Sequence, residues 1–244
     1  MHAPTRLLVL CVLAAIASLV PCRPATAGNF GVSPLDVQFS EQRKSAVLTV
    51  TSDDPNPVSM CLQAMRWTQD ASGQDHYEPS NDLIFFPKRI DLKAGDRKIV
   101  RVGVNIVGQS DEIAYRLFIE EMAPAERPKE AGTKLAVLVS VGIPVFVTPA
   151  GFEPEAKLSS ATLSASGKLS LQVNNAGKSR LRISRISGPE GVTLSEEISS
   201  RYVFPGISKH FEIGASATPC KAGLATLGLD AGTRIVDFEA RCGN

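Results

Sequence analysis

Residues 134–147 read KLAVLVSVGIPVFV, an alternating apolar run. Because successive side chains of a strand point to opposite faces, one face holds Leu135, Val137, Val139 and Val141, and the other holds Ala136, Leu138, Ser140 and Gly142. One apolar face is enough to fill the core of a sandwich. A strand whose second face is also apolar is either central and covered on both sides, or lies at a sheet edge where it can template a strand of another chain. The run by itself leaves both interpretations open.

The chain before this run has an all-β pattern. Short alternating runs recur between clusters of Gly, Pro, Asn, Asp and Ser, and no stretch keeps a helical period over three turns. Their number and spacing predict an immunoglobulin-like sandwich. The predicted strands are Phe30–Phe39, Ala46–Thr51, Val58–Thr68, Leu83–Phe86, Lys98–Val104, Ile113–Met122 and Lys134–Val147.

A second, smaller sandwich is predicted after a break at Thr148-Pro149-Ala150-Gly151, because Pro and Gly together favour a linker or a sharp turn. We therefore expect one domain over residues 28–148, a linker over 149–153 and a second domain over 154–244. The halves show no clear sequence repeat. The predicted strands of the second domain are Ala156–Ala165, Lys168–Asn174, Arg180–Ser187, Val192–Leu194, Tyr202–Ile213, Ala222–Leu229 and Arg234–Arg241.

The N-terminus has the features of a secretory signal peptide. Arg6 precedes an apolar run of 14 residues, Leu7–Val20, and the small-residue site Ala25-Thr26-Ala27 follows. A membrane-spanning helix needs about 20 apolar residues, so a cleaved signal over residues 1–27 is favoured over an anchor. The remaining chain carries 24 basic and 25 acidic side chains. This balance gives no global field that would hold nucleic acid or an anionic membrane.

Three cysteines remain after the expected cleavage, and an oxidising compartment permits disulfides. Cys220 and Cys242 both lie near the C-terminus, so we expect them to pair, although other pairings stay open. Cys61 lies within an apolar strand pattern and is expected to be a buried free thiol.

Sequence motifs for catalysis are not found. His76 and His210 stand apart from each other, and the chain has no HExxH or CxxC spacing, no G-x-S-x-G elbow and no phosphate loop. We therefore expect no cofactor, no metal and no enzymatic activity. Because a catalytic triad can be assembled from residues far apart in sequence, a secreted hydrolase with an unrecognised site is a third alternative.

Three segments resemble the periplasmic pilus chaperones of the chaperone–usher pathway. Each is short, but their order and spacing fit that family, and the first half of the chain carries most of the likeness. The second half matches in length, strand pattern and a C-terminal cysteine pair. The segments are Ala64–Gln69 (AMRWTQ), Phe86–Gly95 (FPKRIDLKAG) with Ile99–Val102 (IVRV) after it, and Ala114–Glu121 (AYRLFIEE).

The resemblance implies two immunoglobulin-like domains in an L-shaped arrangement with a cleft between them. It also implies a mechanism, donor-strand complementation, in which the chaperone lends a strand to a pilus subunit that lacks one and then delivers it to an outer-membrane usher. Each buried Val or Leu contributes about 1.5–3 kcal/mol. By position, the donated side chains are those of Leu135, Val137, Val139 and Val141.

The sequence also departs from the family. Its better-known branches anchor the subunit's C-terminal carboxylate with an Arg on the first strand and a Lys near the end of the donor strand. Those positions here hold Asp36 and Pro144, neither of which can bind a carboxylate. The usual anchor is therefore absent.

Arg116 is the replacement that we expect. It lies in a Tyr-Arg motif similar to that of the archaic branch, and a planar guanidinium suits a carboxylate. A hairpin between the two last strands of the first domain would put it roughly opposite Ser140 or Val141. The alternative is that Arg116 pairs with an internal acid such as Asp36 or Glu112.

The main alternative to a chaperone is a secreted structural or adhesive protein with immunoglobulin-like domains, in which residues 134–147 form an ordinary paired strand. The apolar edge would also allow the free protein to associate with itself.

Overall fold

The structure, a computed structural model, describes residues 30–105, 111–123, 137–188, 193–194, 202–216, 222–229 and 235–243. In these ranges every regular element is a β-strand, so the all-β prediction is confirmed. The described residues include no helix that is long and apolar enough to cross a membrane. The expected signal peptide, Leu135 and Cys220 lie outside the described residues.

The first half of the chain forms two sheets. One has the order β1-β3-β8-β6, and the other has the order β2-β10-β9-β4-β5, with β7 also paired to β4. All pairs are antiparallel except that β2 runs parallel to β10. The strands are β1 (Phe30–Ser33), β2 (Val37–Phe39), β3 (Ser45–Ser52), β4 (Val58–Gln69), β5 (Asp75–Pro79), β6 (Leu83–Phe86), β7 (Arg89–Leu92), β8 (Arg97–Val104), β9 (Ile113–Glu121) and β10 (Ser140–Val147).

The two sheets face each other across one core, which the alternation of apolar residues along each strand produces. Leu48 of β3 and Val100 of β8 face inward from the first sheet. Leu117 of β9 and Val145 of β10 face inward from the second sheet and belong to the same apolar cluster. These strands therefore form a β-sandwich.

The second half forms one path of eight strands, in the order β14-β16-β12-β11-β18-β17-β13-β15. Leu171 of β12 and Ile183 of β13 are separated along this path but lie in one apolar cluster, so the path folds over on itself around a second core. The strands are β11 (Ala156–Ser164), β12 (Lys168–Asn175), β13 (Leu181–Ser187), β14 (Thr193–Leu194), β15 (Tyr202–Val203), β16 (Ser208–Ser216), β17 (Gly223–Leu229) and β18 (Ile235–Gly243).

Two strands were not predicted from sequence. The β5 strand, DHYEP, is almost wholly exposed, and β7, RIDL, spans only four residues, so neither has an extended apolar run. The predicted strand Phe30–Phe39 is in fact two strands. Pro34, which has no N–H to donate, lies where the chain leaves β3 and crosses to β10 in the opposite sheet.

The prediction for Cys61 is half right. Its thiol is free, as expected, but it is exposed instead of buried. Met60 and Leu62 on either side of it are buried, because they point into the core while Cys61 points to the opposite face of β4. The sequence did not show this alternation, because a thiol is only weakly polar and gives little contrast with the apolar residues on either side.

Leu48 and Val47 are neighbours on β3 that test the sandwich directly. Leu48 is fully buried and Val47 is 49% exposed. We expect Leu48→Ala to lower the free energy of unfolding by about 2–5 kcal/mol, because it leaves a cavity in the core. The matched control Val47→Ala should change it by no more than about 0.5 kcal/mol. Urea unfolding curves measure both values, and equal effects would contradict the assigned faces.

Candidate functional site

The apolar face of the β10 segment continues beyond the core that it fills. Ile143 and Val145 are buried, and Val141 packs at the margin of the core. Val139 is half-buried, and Val137 is 66% exposed. Three of the four predicted donor side chains are therefore in the described part of the chain, and they pass progressively from core to solvent.

Among the described residues, one edge of β10 has no neighbouring strand over most of its length. Thr148 donates its backbone N–H to the carbonyl of Phe39, so the even-numbered residues here direct their backbone groups toward β2. However, β2 pairs only with Val145–Val147. The N–H and C=O groups of Ser140 and Gly142 therefore point to an edge where the described residues place no strand.

The opposite edge of β10 is paired with β9 as far as its beginning. Ser140 lies opposite Glu120 and its hydroxyl donates to that carboxylate at 3.2 Å. At the next step Glu121 donates its backbone N–H to the Val139 carbonyl, and the Val139 N–H donates to the Glu121 side chain instead of its carbonyl. The segment from Val139 to Gly142 is thus paired with β9 on one edge, and the strands that the structure describes do not pair with its other edge.

Arg116 lies on β9 opposite Pro144, and not opposite Ser140 or Val141 as predicted. The predicted register was wrong because the register of a hairpin depends on the length of its loop, and the sequence does not reveal where the two strands end. The observed register places Arg116 beside the position at which the family's lysine was expected. Its Nη1 donates to the carbonyl of Gly142 at 3.0 Å.

The guanidinium of Arg116 is partly buried without an acidic partner among the described residues. Its carbon lies 4.2 Å from the centroid of the Trp67 ring, within the range of a cation–π contact. Its Nε is buried and has no hydrogen-bond partner. A partly buried guanidinium that contacts an aromatic face, one carbonyl and one hydroxyl, that of Tyr77, keeps the capacity to bind an anion.

Trp67 is the centre of a group of rings that we call the aromatic cluster. The centroid distances from Trp67 run from 4.8 to 6.1 Å. The cluster brings together strands of the first sandwich with β15 and the residue after it, and it forms part of the contact between the two sandwiches. Its other members are Tyr77, Phe146, Tyr202 and Phe204.

Tyr77 extends the cluster toward Arg116. Its ring packs edge-on against Phe118 at 5.7 Å, and its hydroxyl interacts with Arg116 and Asp75. Burial raises the pKa of Tyr77 and the charge of Asp75 adds to that rise, while the positive charge of Arg116 opposes it. Sequence analysis missed Tyr77 because β5 was not predicted.

The internal acids suggested as partners of Arg116 are placed elsewhere. Glu112 binds Arg180 at 2.5 Å, and its side chain is only 2% exposed. Asp36 is exposed at the residue before β2, and no ion pair is found for it in the described residues. Glu112 is therefore excluded as the partner.

Polar contacts join the two sandwiches beside the aromatic cluster. Glu112 also accepts the backbone N–H of Arg180 and the hydroxyl of Thr148. Gln69 donates to the carbonyl of Tyr202 and accepts the N–H of Phe204. The sequence offered no signal for the contacts of Glu112 with Arg180 or of Gln69 with Tyr202, because these residues lie 68 and 133 positions apart.

A cleft of about 540 Å³ lies at this junction. Arg66, Gln69 and Glu112 line it from the first sandwich, and Ala176 and Phe204 line it from the second. Arg66 is partly engaged, since its Nη1 lies 3.3 Å from the hydroxyl of Tyr115, which in turn donates to Asp82.

Cys242 is disulfide-bonded, and its predicted partner Cys220 lies outside the described residues. In the described part of the chain, no group of three or more His, Cys, Asp or Glu side chains has the arrangement of a metal site.

Comparison with known proteins matches residues 29–153 to the family of pili and flagellar-assembly chaperones, PapD N-terminal domain. Among curated proteins, no sequence matches the chain.

Solved structures with the same fold are only distantly related in sequence. One is the CsuC–CsuE chaperone–tip adhesion subunit pre-assembly complex from archaic chaperone–usher Csu pili of Acinetobacter baumannii, with 15% identity, a TM-score of 0.59, and coverage of 88% of this chain and 100% of that chain. Another is the Salmonella enterica SafA pilin in complex with the SafB chaperone, with 13% identity, a TM-score of 0.59, and coverage of 88% and 97%. A third is the E. coli chaperone DraB, with 15% identity, a TM-score of 0.54, and coverage of 88% and 98%.

The Glu112–Arg180 pair should be strongly coupled. Removing one partner leaves a charge buried without compensation, so we expect Glu112→Gln or Arg180→Gln alone to lower the free energy of unfolding by about 3 kcal/mol. The double variant should lose clearly less than the sum of the two single losses. The exposed pair Glu155–Lys157 serves as the control cycle and should give no more than about 1 kcal/mol of coupling. Additive losses at Glu112 and Arg180 would refute the coupling.

Proposed function

Because the chain belongs to the family of pili and flagellar-assembly chaperones, we propose that it acts in the periplasm by donor-strand complementation, capping pilus subunits and delivering them to an outer-membrane usher. The signal peptide expected over residues 1–27 supports export to that compartment. Two structures of the same fold are described as complexes with a tip subunit and a pilin, which supports subunits as the ligand class.

The observation that carries the proposal is the open edge of β10. Ser140 and Gly142 direct backbone groups to an edge where the described residues place no strand, while Val139 and Val137 present apolar side chains beside that edge. The central-strand alternative holds only for Val145–Val147, which β2 covers. An exposed edge with alternating apolar residues matches strand addition, in which backbone hydrogen bonds give affinity and pockets for alternate side chains give specificity.

Four further features complete the proposal. The donor side chains are Leu135, Val137, Val139 and Val141, and Arg116 binds the subunit's terminal carboxylate. The two domains divide at residues 149–153, between the last strand of the first sandwich and the first strand of the second. Cys220 is the disulfide partner of Cys242. Binding and release by strand exchange call for no cofactor and no chemical step.

Charge on the donor face should abolish subunit protection. We expect a Val137→Glu, Val139→Glu double variant to weaken subunit binding by about a hundredfold or more. The change removes two apolar side chains whose burial contributes about 1.5–3 kcal/mol each, and it places two carboxylates in apolar pockets of the subunit. Co-expression with candidate subunits from the same organism measures the soluble subunit recovered.

The matched control for this test is Leu138→Glu. Leu138 is 47% exposed and alternates with the donor side chains, so its charge should remain in solvent. If the double variant protects a subunit as well as the unmodified protein does, the donor assignment is wrong.

Arg116→Ala should fold normally but form about ten- to a hundredfold fewer stable subunit complexes. A charge-assisted hydrogen bond contributes about 1.5–3 kcal/mol, and its loss falls on the complex alone. Arg101→Ala is the matched control, because Arg101 is an exposed arginine on β8 in the other sheet. Copurification of subunit with each variant is the measurement, and an unreduced yield with Arg116→Ala would exclude the anchor role.

A further inference from the structure

Arg116 reaches farther than its position on β9 suggests. Gly142 is one of the residues whose backbone groups point to the open edge of β10, away from β9. The Arg116 Nη1 nevertheless hydrogen-bonds the Gly142 carbonyl at 3.0 Å. Its side chain must therefore cross the outer face of β10 to arrive at the far edge.

The crossing is made over Gly142 itself. A Cβ added to Gly142 would lie 3.3 Å from the Arg116 Cδ and 2.9 Å from the Phe118 Cε1. Gly142 is not among the glycines that have a positive φ, so its backbone conformation does not require glycine. What the position requires is space, and that space is filled by the side chains of Arg116 and Phe118.

The guanidinium is held from its other side by the aromatic cluster. Trp67 is 1% exposed and offers its ring face at 4.2 Å, which limits the directions in which the Arg116 head can turn. The Nε of Arg116 is buried and has no partner, so the described surroundings do not use all of its donors.

We infer that Gly142 is a positioning residue, which lets Arg116 cross β10 and present its guanidinium at the open edge for the terminal carboxylate of an added strand. This rests on the proposed function, since it takes a foreign strand to be the ligand of that edge. The strand β2 occupies the same edge from Val145 onward, so an added strand has to end before it. Gly142 and Arg116 therefore set the register at which the foreign chain stops.

Trp67 provides a local readout, because it is the single Trp of the chain and lies against the Arg116 guanidinium. The probe is a Trp-free, N-acetylated peptide of alternating valine and threonine, made once with a free C-terminal carboxylate and once with a C-terminal amide. Titrating each form into the full-length purified protein while following Trp67 fluorescence gives the preference for the carboxylate. In the unmodified protein the carboxylate form should bind about tenfold more tightly or better.

The following variants change the space above residue 142 and leave the charge of Arg116 unchanged. Gly142→Val should remove the preference by blocking the crossing, and Gly142→Ala should reduce it. Gly103→Ala on β8 is the matched control, because its added Cβ would meet nothing closer than 3.4 Å, and it should keep the full preference. Phe118→Leu combined with Gly142→Val relieves the contact of the new side chain with residue 118 but not its contact with Arg116. The preference for the carboxylate should therefore stay lost even where folding improves.

Equal binding of the two peptide forms by the unmodified protein, or an undiminished preference in Gly142→Val, would overturn the inference. So would recovery of the preference in the Phe118→Leu, Gly142→Val double variant. Subunit co-expression distinguishes the two proposals. If subunits are protected in a manner that depends on Val139 but not on Gly142, the function stands and the inference fails. If no subunit is protected while the carboxylate preference persists, the function fails and the site remains.

Discussion

The arrangement of β10 depends on how little of it β2 covers. A strand buried in a sheet satisfies its backbone groups on both edges, but the three residues of β2 pair with only Val145–Val147. The first part of β10 keeps its pairing with β9, and at its other edge the described part of the chain places no strand. Natural proteins usually protect such edges, so an edge that the described residues leave uncovered, beside the exposed Val137 and the half-buried Val139, is suited to a partner strand.

The same face of the β10 segment contributes both to the core and to the candidate site, because apolar side chains occupy every second position along it. Val145 and Ile143 fill the sandwich, and the same pattern continues through Val141 to the exposed Val137. The anchored end of the strand therefore helps to hold the segment that begins at Val137 in position. Rigid support on one side reduces the ordering cost that strand addition would otherwise incur.

Arg116 illustrates a charge retained at a cost. Burial of an unpaired guanidinium is unfavourable, and here the Trp67 face and the Gly142 carbonyl offset part of that cost. Glu112, one of the acids that the sequence suggested as its partner, is instead bound to Arg180 at the junction of the sandwiches. In the described part of the chain no acidic side chain forms an ion pair with Arg116.

Alternation and turn residues in the sequence by themselves determined the all-β class, most strand positions and the apolar face of residues 134–147, because these features depend on neighbours along the chain. The same local patterns did not predict β5 or the exposure of Cys61, because polar and apolar residues do not alternate clearly at those positions. Only the tertiary structure decided that Arg116 lies opposite Pro144, that Gly142 gives it passage, and that β2 ends short. Those outcomes depend on register and on contacts between distant residues, which local periodicity does not encode.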